Sequence, residues 1–281
     1  MNPVPLFLII VTLPLLLGGC GEKAIAEVKP EEPVPVTQSK LEGVNSKELD
    51  FRDTSFSVAY LKGSLYTGKS FMLYENGQKQ VEQNWKDGKR DGLYVEWHEN
   101  EQKRRESTYK DGTVDGLWLS WHENGQKEGE GNYKDGKRVG LHAEWYENGK
   151  KKSEGNFKDG KWDGPWLYWY FDGDKLREVN FKNGKKEGLV MYWHDNGQKQ
   201  VEVNFKDGKR NGLYVSWHEN GEKRSEGNYK EGKSDGLWVW WHGNGQKKME
   251  GNYKDGEKIS ETKWWNSKGE PVDSFDEADK K

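Results

Sequence analysis

The chain has 281 residues, 32% hydrophobic and 33% charged, with a net charge of −3. The two signs are finely interspersed, which excludes the broad basic stripe of a nucleic-acid binder. The 15 Trp, 13 Tyr and 9 Phe exclude an aromatic-poor disordered chain, and a single Cys excludes an intrachain disulfide.

At the N-terminus, Pro5 to Leu17 is an apolar run too short to span a bilayer and of the right length for a signal-peptide core. It ends in Leu17-Gly18-Gly19-Cys20. Small residues before the only cysteine, with Leu three positions upstream, resemble the lipobox of bacterial lipoproteins. That resemblance implies that residues 1–19 are a signal peptide. It also implies a diacylglycerol thioether on Cys20 and an acylated new N-terminus, and several acyl chains anchor a protein stably to a membrane. Gly21 stands where many Gram-negative lipoproteins carry an inner-membrane retention Asp, so delivery to the outer membrane is favoured over the inner. An ordinary secretory signal is the alternative. Residues 20–50 are rich in Glu, Lys, Pro and Val, as in Lys29-Pro30-Glu31-Glu32-Pro33, and read as a disordered, semi-extended spacer.

Residues 51–267 form a repeat array. Gly68, Gly92, Gly116, Gly140, Gly164, Gly188, Gly212 and Gly236 are spaced by 24 residues without an insertion. Counting from this glycine as zero, position 5 is Trp from Trp97 to Trp265, with Leu73 in the first unit. Position 14 is Glu from Glu82 to Glu250, and position 17 is always aromatic, from Trp85 to Tyr253. Each unit carries two turn signals, such as Asn124-Gly125 and Asp135-Gly136. Both dipeptides suit type I′ hairpin turns, which need positive φ at both central residues. Each unit is therefore expected to be one hairpin, and successive units an antiparallel meander of about eight hairpin repeats. Partial strands are expected before and after the array, at residues 55–61 and 260–266. Residues 268–281 read as a disordered acidic and polar tail.

A two-residue loop at Asn124-Gly125 sets a register. Gly116 then faces Tyr133, and Trp118 faces Gly131, so that a ring covers a bare backbone. The same parity puts Leu117, Leu119, Trp121, Glu130, Asn132 and Lys134 on one sheet face, with Trp118, His122 and Tyr133 on the other. Aromatic and polar groups occupy both faces, which favours a single layer wetted on both sides over a sandwich with one apolar face. The fold class expected is all-β: an elongated single-layer antiparallel meander, about 75 Å long at a strand spacing of about 4.8 Å.

The unit G-x-W-x-x-[WY]-x-x-N-G-x-x-x-x-E-x-x-[YF]-x-x-G resembles the MORN-repeat variant, as found in the YwqK-type antitoxin family. The resemblance covers roughly residues 55 to 266. It implies an extended single-layer meander of a kind associated with protein scaffolding and lipid association, and with antitoxin activity in some members.

The aromatic ladders first replace an aliphatic core through cross-strand packing. The richest stretches, Trp162, Trp166, Tyr168, Trp169 and Tyr170, with Trp238, Trp240 and Trp241, exceed what the repeat requires and are the candidate binding patch. His98, His122, His194, His218 and His242 recur at position 6. Equivalent residues lie two strands apart, about 9–10 Å, against metal–nitrogen bonds of about 2.1 Å, so no metal site is expected. The glutamates occupy equivalent settings and lack the asymmetry that separates catalytic carboxylates. They are expected to pair with lysines on their face, such as Lys134. No phosphate loop, nucleophile–base set or zinc spacing is present. The expectation is a non-enzyme without cofactors: an envelope-anchored protein-binding or scaffolding lipoprotein. Its partners would be the membrane, through its lipid, and an envelope protein or peptidoglycan. The alternatives are an antitoxin-type protein and a glycan-binding aromatic module.

Overall fold

The Asp-Gly pairs reverse the chain as expected. At Asp135 and Gly136 φ is 48° and 75°, and Lys134 pairs directly with Lys137. This is a two-residue type I′ turn. It recurs at all eight such corners from Asp87-Gly88 to Asp255-Gly256, with Asn183 and Glu231 as first residues in two of them.

The Asn-Gly corners differ from expectation. Of Asn124 and Gly125 only the glycine has positive φ, 80°. Gly125 N donates to His122 O at 2.9 Å, and His122 N donates to Gln126 O at 2.9 Å. That is a three-residue loop, a type I turn closed by a glycine bulge. The Asn124 side chain explains the preference, since its Oδ1 accepts from Gln126 N at 3.0 Å and stabilises the non-primed turn. The extra residue shifts the register beside the loop, so Trp121 faces Lys127. Further along, Trp118 faces Gly131 and Gly116 faces Tyr133, as expected.

The computed structural model describes residues 41–51 and 58–279. The signal peptide, Cys20 and most of the spacer lie outside the described residues. The described residues fall within one compact unit, Leu41–Lys281. Among the described residues, 21 strands form one sheet, which is not closed. From Gly68–Leu73 onward the strands pair in chain order and antiparallel, for example Thr113–Trp121 with Lys127–Lys134, and Lys127–Lys134 with Lys137–Trp145.

The zero glycine of each unit has positive φ, from 66° at Gly140 to 144° at Gly68. It lies in a second irregularity. Ser107 pairs with Trp118 but Tyr109 with Val114, so Asp115, Gly116 and Leu117 face Thr108 alone. Only glycine adopts this backbone cheaply, and such a bulge bends the strand and raises its twist.

Both ends of the sheet carry more structure than expected. Val44–Asn45 adds a parallel strand to Gly68–Leu73. Asp50–Phe51, Ala59–Leu61 and Ser64–Leu65 form a small sheet, and its Ala59 clusters with the flanking Leu49 and Tyr66 and with Trp85. At the other end Pro271–Val272 pairs with Lys263–Trp265, and the short helix Phe275–Ala278 sets Phe275 against Trp264 at 5.6 Å. Short elements thus lie within residues 41–50 and 268–279, at Val44–Asn45, Pro271–Val272 and Phe275–Ala278, which composition alone does not reveal. Short strands and Pro271 also blunt the sheet edges.

One face departs from the expectation of a layer wetted on both sides. Phe157, Trp166, Val179, Phe181, Val190 and Val203 form a buried cluster, with Val179 and Val190 at 1% and 0% exposure. A single layer achieves this because large rings lie across the short side chains of neighbouring strands.

Candidate functional site

Three ladders run along the sheet. The first lies on the face of positions 2 and 17. There Tyr133, His142, Phe157 and Trp166 meet edge to face at centroid distances of 5.6, 4.8 and 5.2 Å in turn. Tyr214, Tyr229, Trp238 and Trp240 form a second group, in which Tyr229 meets Tyr214 and Trp238 edge to face and Trp238 stacks on Trp240. Guanidinium groups cap the rings: Arg90 lies over Trp85, Tyr94 and Tyr109, and Arg177 lies 3.9 Å from the Tyr168 centroid. Burial pushes Tyr94 up to about 12, and the Glu96 carboxylate adds to the shift. Burial, and then the Arg138 charge, hold His142 below the ordinary imidazole value.

The second ladder lies on the opposite face. In every unit the position-11 lysine meets the position-14 glutamate, as in Lys127–Glu130 at 2.7 Å. The same ammonium sits over the position-5 Trp of the next unit, at 4.7 to 5.8 Å from the ring across the eight pairs. The expected partner of Glu130 was Lys134, but Lys134 bonds Asp115 instead, at 3.1 Å. The cause is the loop bulge, which turns Lys127 onto the glutamate face. The position-1 leucines stand on this face too: Leu93, Leu117, Leu141, Leu189, Leu213 and Leu237 are 37–50% exposed. Asn side chains pin the bulge behind them, as Asn84 does by donating to Leu93 O at 2.7 Å.

The third ladder ties the corners together. His122 Nε2 bonds Trp145 O at 2.9 Å, one unit on, and Asn124 Nδ2 donates to Glu147 O at 2.7 Å. A carbonyl only accepts, so the imidazole proton is on Nε2. His98, His194, His218 and His242 repeat this contact. Where position 6 is Tyr74, Tyr146 or Tyr170, the phenol donates to the equivalent carbonyl at 2.7–3.1 Å. The recurrence of His and Tyr at one position is thereby explained: each is a donor of the right reach. Among the described residues no group of three or more His, Cys, Asp or Glu is placed to hold a metal ion, and no helix is long and apolar enough to cross a membrane.

The candidate aromatic residues do not form one patch. Trp162, Trp166 and Tyr168 share the ring face, with Trp166 only 6% exposed beneath its neighbours. Trp169 lies on the opposite face under Lys151, and Tyr170 is engaged at the corner. Trp238 and Trp240 line a cleft of about 500 Å³ with Tyr214 and Tyr253, while Trp241 faces away under Lys223. Strand alternation divides adjacent Trp residues between faces. The exposed leucine row and the corner bonds escaped notice in the sequence, although a Leu after the zero glycine in six of eight units was its visible signal.

Eight equal units, each closed by the same two corners, are the feature that a family description must match. A family model described as MORN repeat variant does so, over residues 66–87, 90–111, 114–135, 138–159, 162–183, 186–207, 210–231 and 234–255. The chain belongs to the MORN repeat variant family. No curated protein matches the chain. Among solved structures, a complex titled TcdB2-TccC3-Cdc42 is 12% identical over 70% of this chain and 13% of its own, with a TM-score of 0.19. The Tc holotoxin pore of Photorhabdus luminescens is 14% identical over 73% of this chain and 12% of its own, with a TM-score of 0.19. The MORN-variant array thus spans about an eighth of those chains, and likeness at that level carries no argument about function.

Proposed function

We propose that this MORN-variant protein is a non-enzymatic, protein-binding scaffold tethered to the bacterial envelope through lipid on Cys20. The observation that carries the proposal is the leucine row. Six large apolar side chains stand exposed, in six of the eight units, on a sheet whose units are bonded to one another at every corner. Successive units are about 9–10 Å apart, so the row offers an extended partner two runs of three leucines, Leu93 to Leu141 and Leu189 to Leu237, on either side of Pro165. Exposed apolar stripes rimmed by polar groups mark protein-interaction surfaces. Here the rim is the Lys–Glu ladder. The lipobox at Leu17-Gly18-Gly19-Cys20 supports delivery to the envelope, with the outer membrane favoured, and makes an envelope protein the expected partner.

Two measurements test this. Replacing Cys20 by Ser is expected to release the protein from the membrane fraction. If it stays there, or if the unmodified chain is cytoplasmic, the tether is refuted and the antitoxin-type alternative gains. Affinity capture from envelope extract is expected to enrich a protein partner that is lost when Leu117, Leu141, Leu189 and Leu213 are changed to Ser. Capture indifferent to those four changes would remove the leucine row from the account.

A further inference from the structure

Besides the cleft at Trp238 and Trp240, the ring face is hollow in the Gly116 unit. In the Gly164, Gly188 and Gly236 units, positions 4 and 13 pair large side chains across the hairpin: Tyr168 with Arg177, Tyr192 with Val201, and Trp240 with Met249. In the Gly116 unit the same pair is Ser120 with Gly129. The resulting cavity holds about 750 Å³ and is open to solvent. That lies inside the roughly 300–1,000 Å³ of small-molecule sites.

Three features distinguish this hollow from a packing fault. First, Trp118 is turned toward it. Trp166 and Trp238 lie over Gly155 and Gly227 and donate Nε1 to Asn156 O and Asn228 O at 3.1 and 3.2 Å. Over Gly131 that space is taken by His142. The Trp118 ring instead lies against Gly129, where a Cβ would come within 2.8 Å of it. Second, Ser120 is 4% exposed and its Oγ has no hydrogen-bond partner. The equivalent Ser216 bonds Ser225 across the hairpin at 2.6 Å, a partner that Gly129 does not provide. Third, Arg105 and Glu128 stand on the rim without an ion pair among the described residues, whereas their neighbours are paired, Arg104 with Glu96 and Lys152 with Glu144.

We propose that this hollow binds an uncharged pyranose oligosaccharide, its apolar ring face on Trp118 and its hydroxyls on Ser120, Arg105 and Glu128. A sugar hydroxyl both donates and accepts, which suits a rim that carries both a carboxylate, which only accepts, and a guanidinium, which only donates. An anion would meet Glu128, and a purely apolar ligand would leave the Ser120 hydroxyl and both rim charges unsatisfied. The site goes beyond the protein-scaffold reading and is independent of the leucine row, which lies on the opposite face.

The test is calorimetric titration of the full chain with chitotetraose and with maltotetraose, backed by saturation-transfer NMR. At least one is expected to bind. Arg105→Gln and Glu128→Gln, both at exposed positions, should each weaken binding about tenfold or more. Trp118→Ala should abolish binding, and Tyr253→Phe, in the other cleft, should leave it unchanged. Ser120→Ala is the discriminating variant, since removing an unsatisfied buried hydroxyl should stabilise the fold while weakening the sugar complex. A purely structural Ser120 would give the first effect without the second. Absence of binding by both oligosaccharides, or unchanged affinity in Arg105→Gln and Glu128→Gln, would overturn the proposal.

Discussion

Position 15 of the repeat is glycine in four units, and the structure predicts opposite outcomes for the same substitution at two of them. At Gly155 an added methyl carbon falls inside the Trp166 ring, and Trp166 is 6% exposed with its Nε1 bonded to Asn156 O at 3.1 Å. The ring must therefore tilt out. A Trp buries about 150–250 Å², and at about 25 cal/mol per Å² the whole ring is worth about 4–6 kcal/mol. Exposing about half of it costs about 2–3 kcal/mol, and the lost indole bond about 1 more. Replacing a strand glycine returns about 0.5–1 kcal/mol. Gly155→Ala should therefore destabilise by about 3 kcal/mol, and Gly227→Ala similarly, because Trp238 lies over it in the same way. At Gly251 the same methyl meets Tyr253 Cε2 at 3.7 Å and Thr262 Oγ1 at 3.9 Å, ordinary contacts, and φ is not positive. Gly251→Ala should be neutral or slightly stabilising. Urea unfolding followed by near-UV circular dichroism measures the difference. Amide exchange over residues 153–169 localises it, since repeat arrays can open unit by unit. Gly155→Ala within about 0.5 kcal/mol of the parent would refute the idea that rings over bare backbone hold the layer together. So would an equal loss at Gly251.

Three further outcomes follow from single residues. Glu101 holds φ at 65° where the other Asn-Gly corners use glycine, so Glu101→Gly should raise stability by about 0.5–1 kcal/mol, read as a higher unfolding midpoint. His122→Tyr should keep the corner bond, as Tyr146 does to Trp169 O at 2.8 Å, whereas His122→Phe should lose about 1 kcal/mol in urea titrations. His142 is buried, and burial, then the Arg138 charge, lower its pKa. The unfolded chain takes up that proton near pH 6.5 while the folded chain resists it. The contribution of His142 is therefore fully present above about pH 6.5 and declines as pH falls toward the lowered folded value. His142→Phe should stabilise the protein at neutral pH and flatten that acid-side decline. An unchanged stability–pH profile in His142→Phe would show that the decline arises elsewhere.

The repeat period, the hairpin plan and the single-layer class were all readable from spacing, because turn dipeptides and strand alternation are local rules that each unit states eight times. The cross-strand pairs Trp118–Gly131 and Gly116–Tyr133 were readable for the same reason. Where the expectation failed, the deciding contacts lay a full unit away or depended on rotamer. Asn124 forms a non-primed turn because its side chain bonds Gln126 N and Glu147 O, and that choice moved Lys127 rather than Lys134 onto Glu130. The ring of Trp118 occupies the hollow because His142, from the next unit, already fills the space over Gly131. Backbone geometry follows from the residues within one hairpin, whereas the filled and empty places on its faces depend on which neighbours' side chains reach them, and only the folded sheet brings those neighbours together.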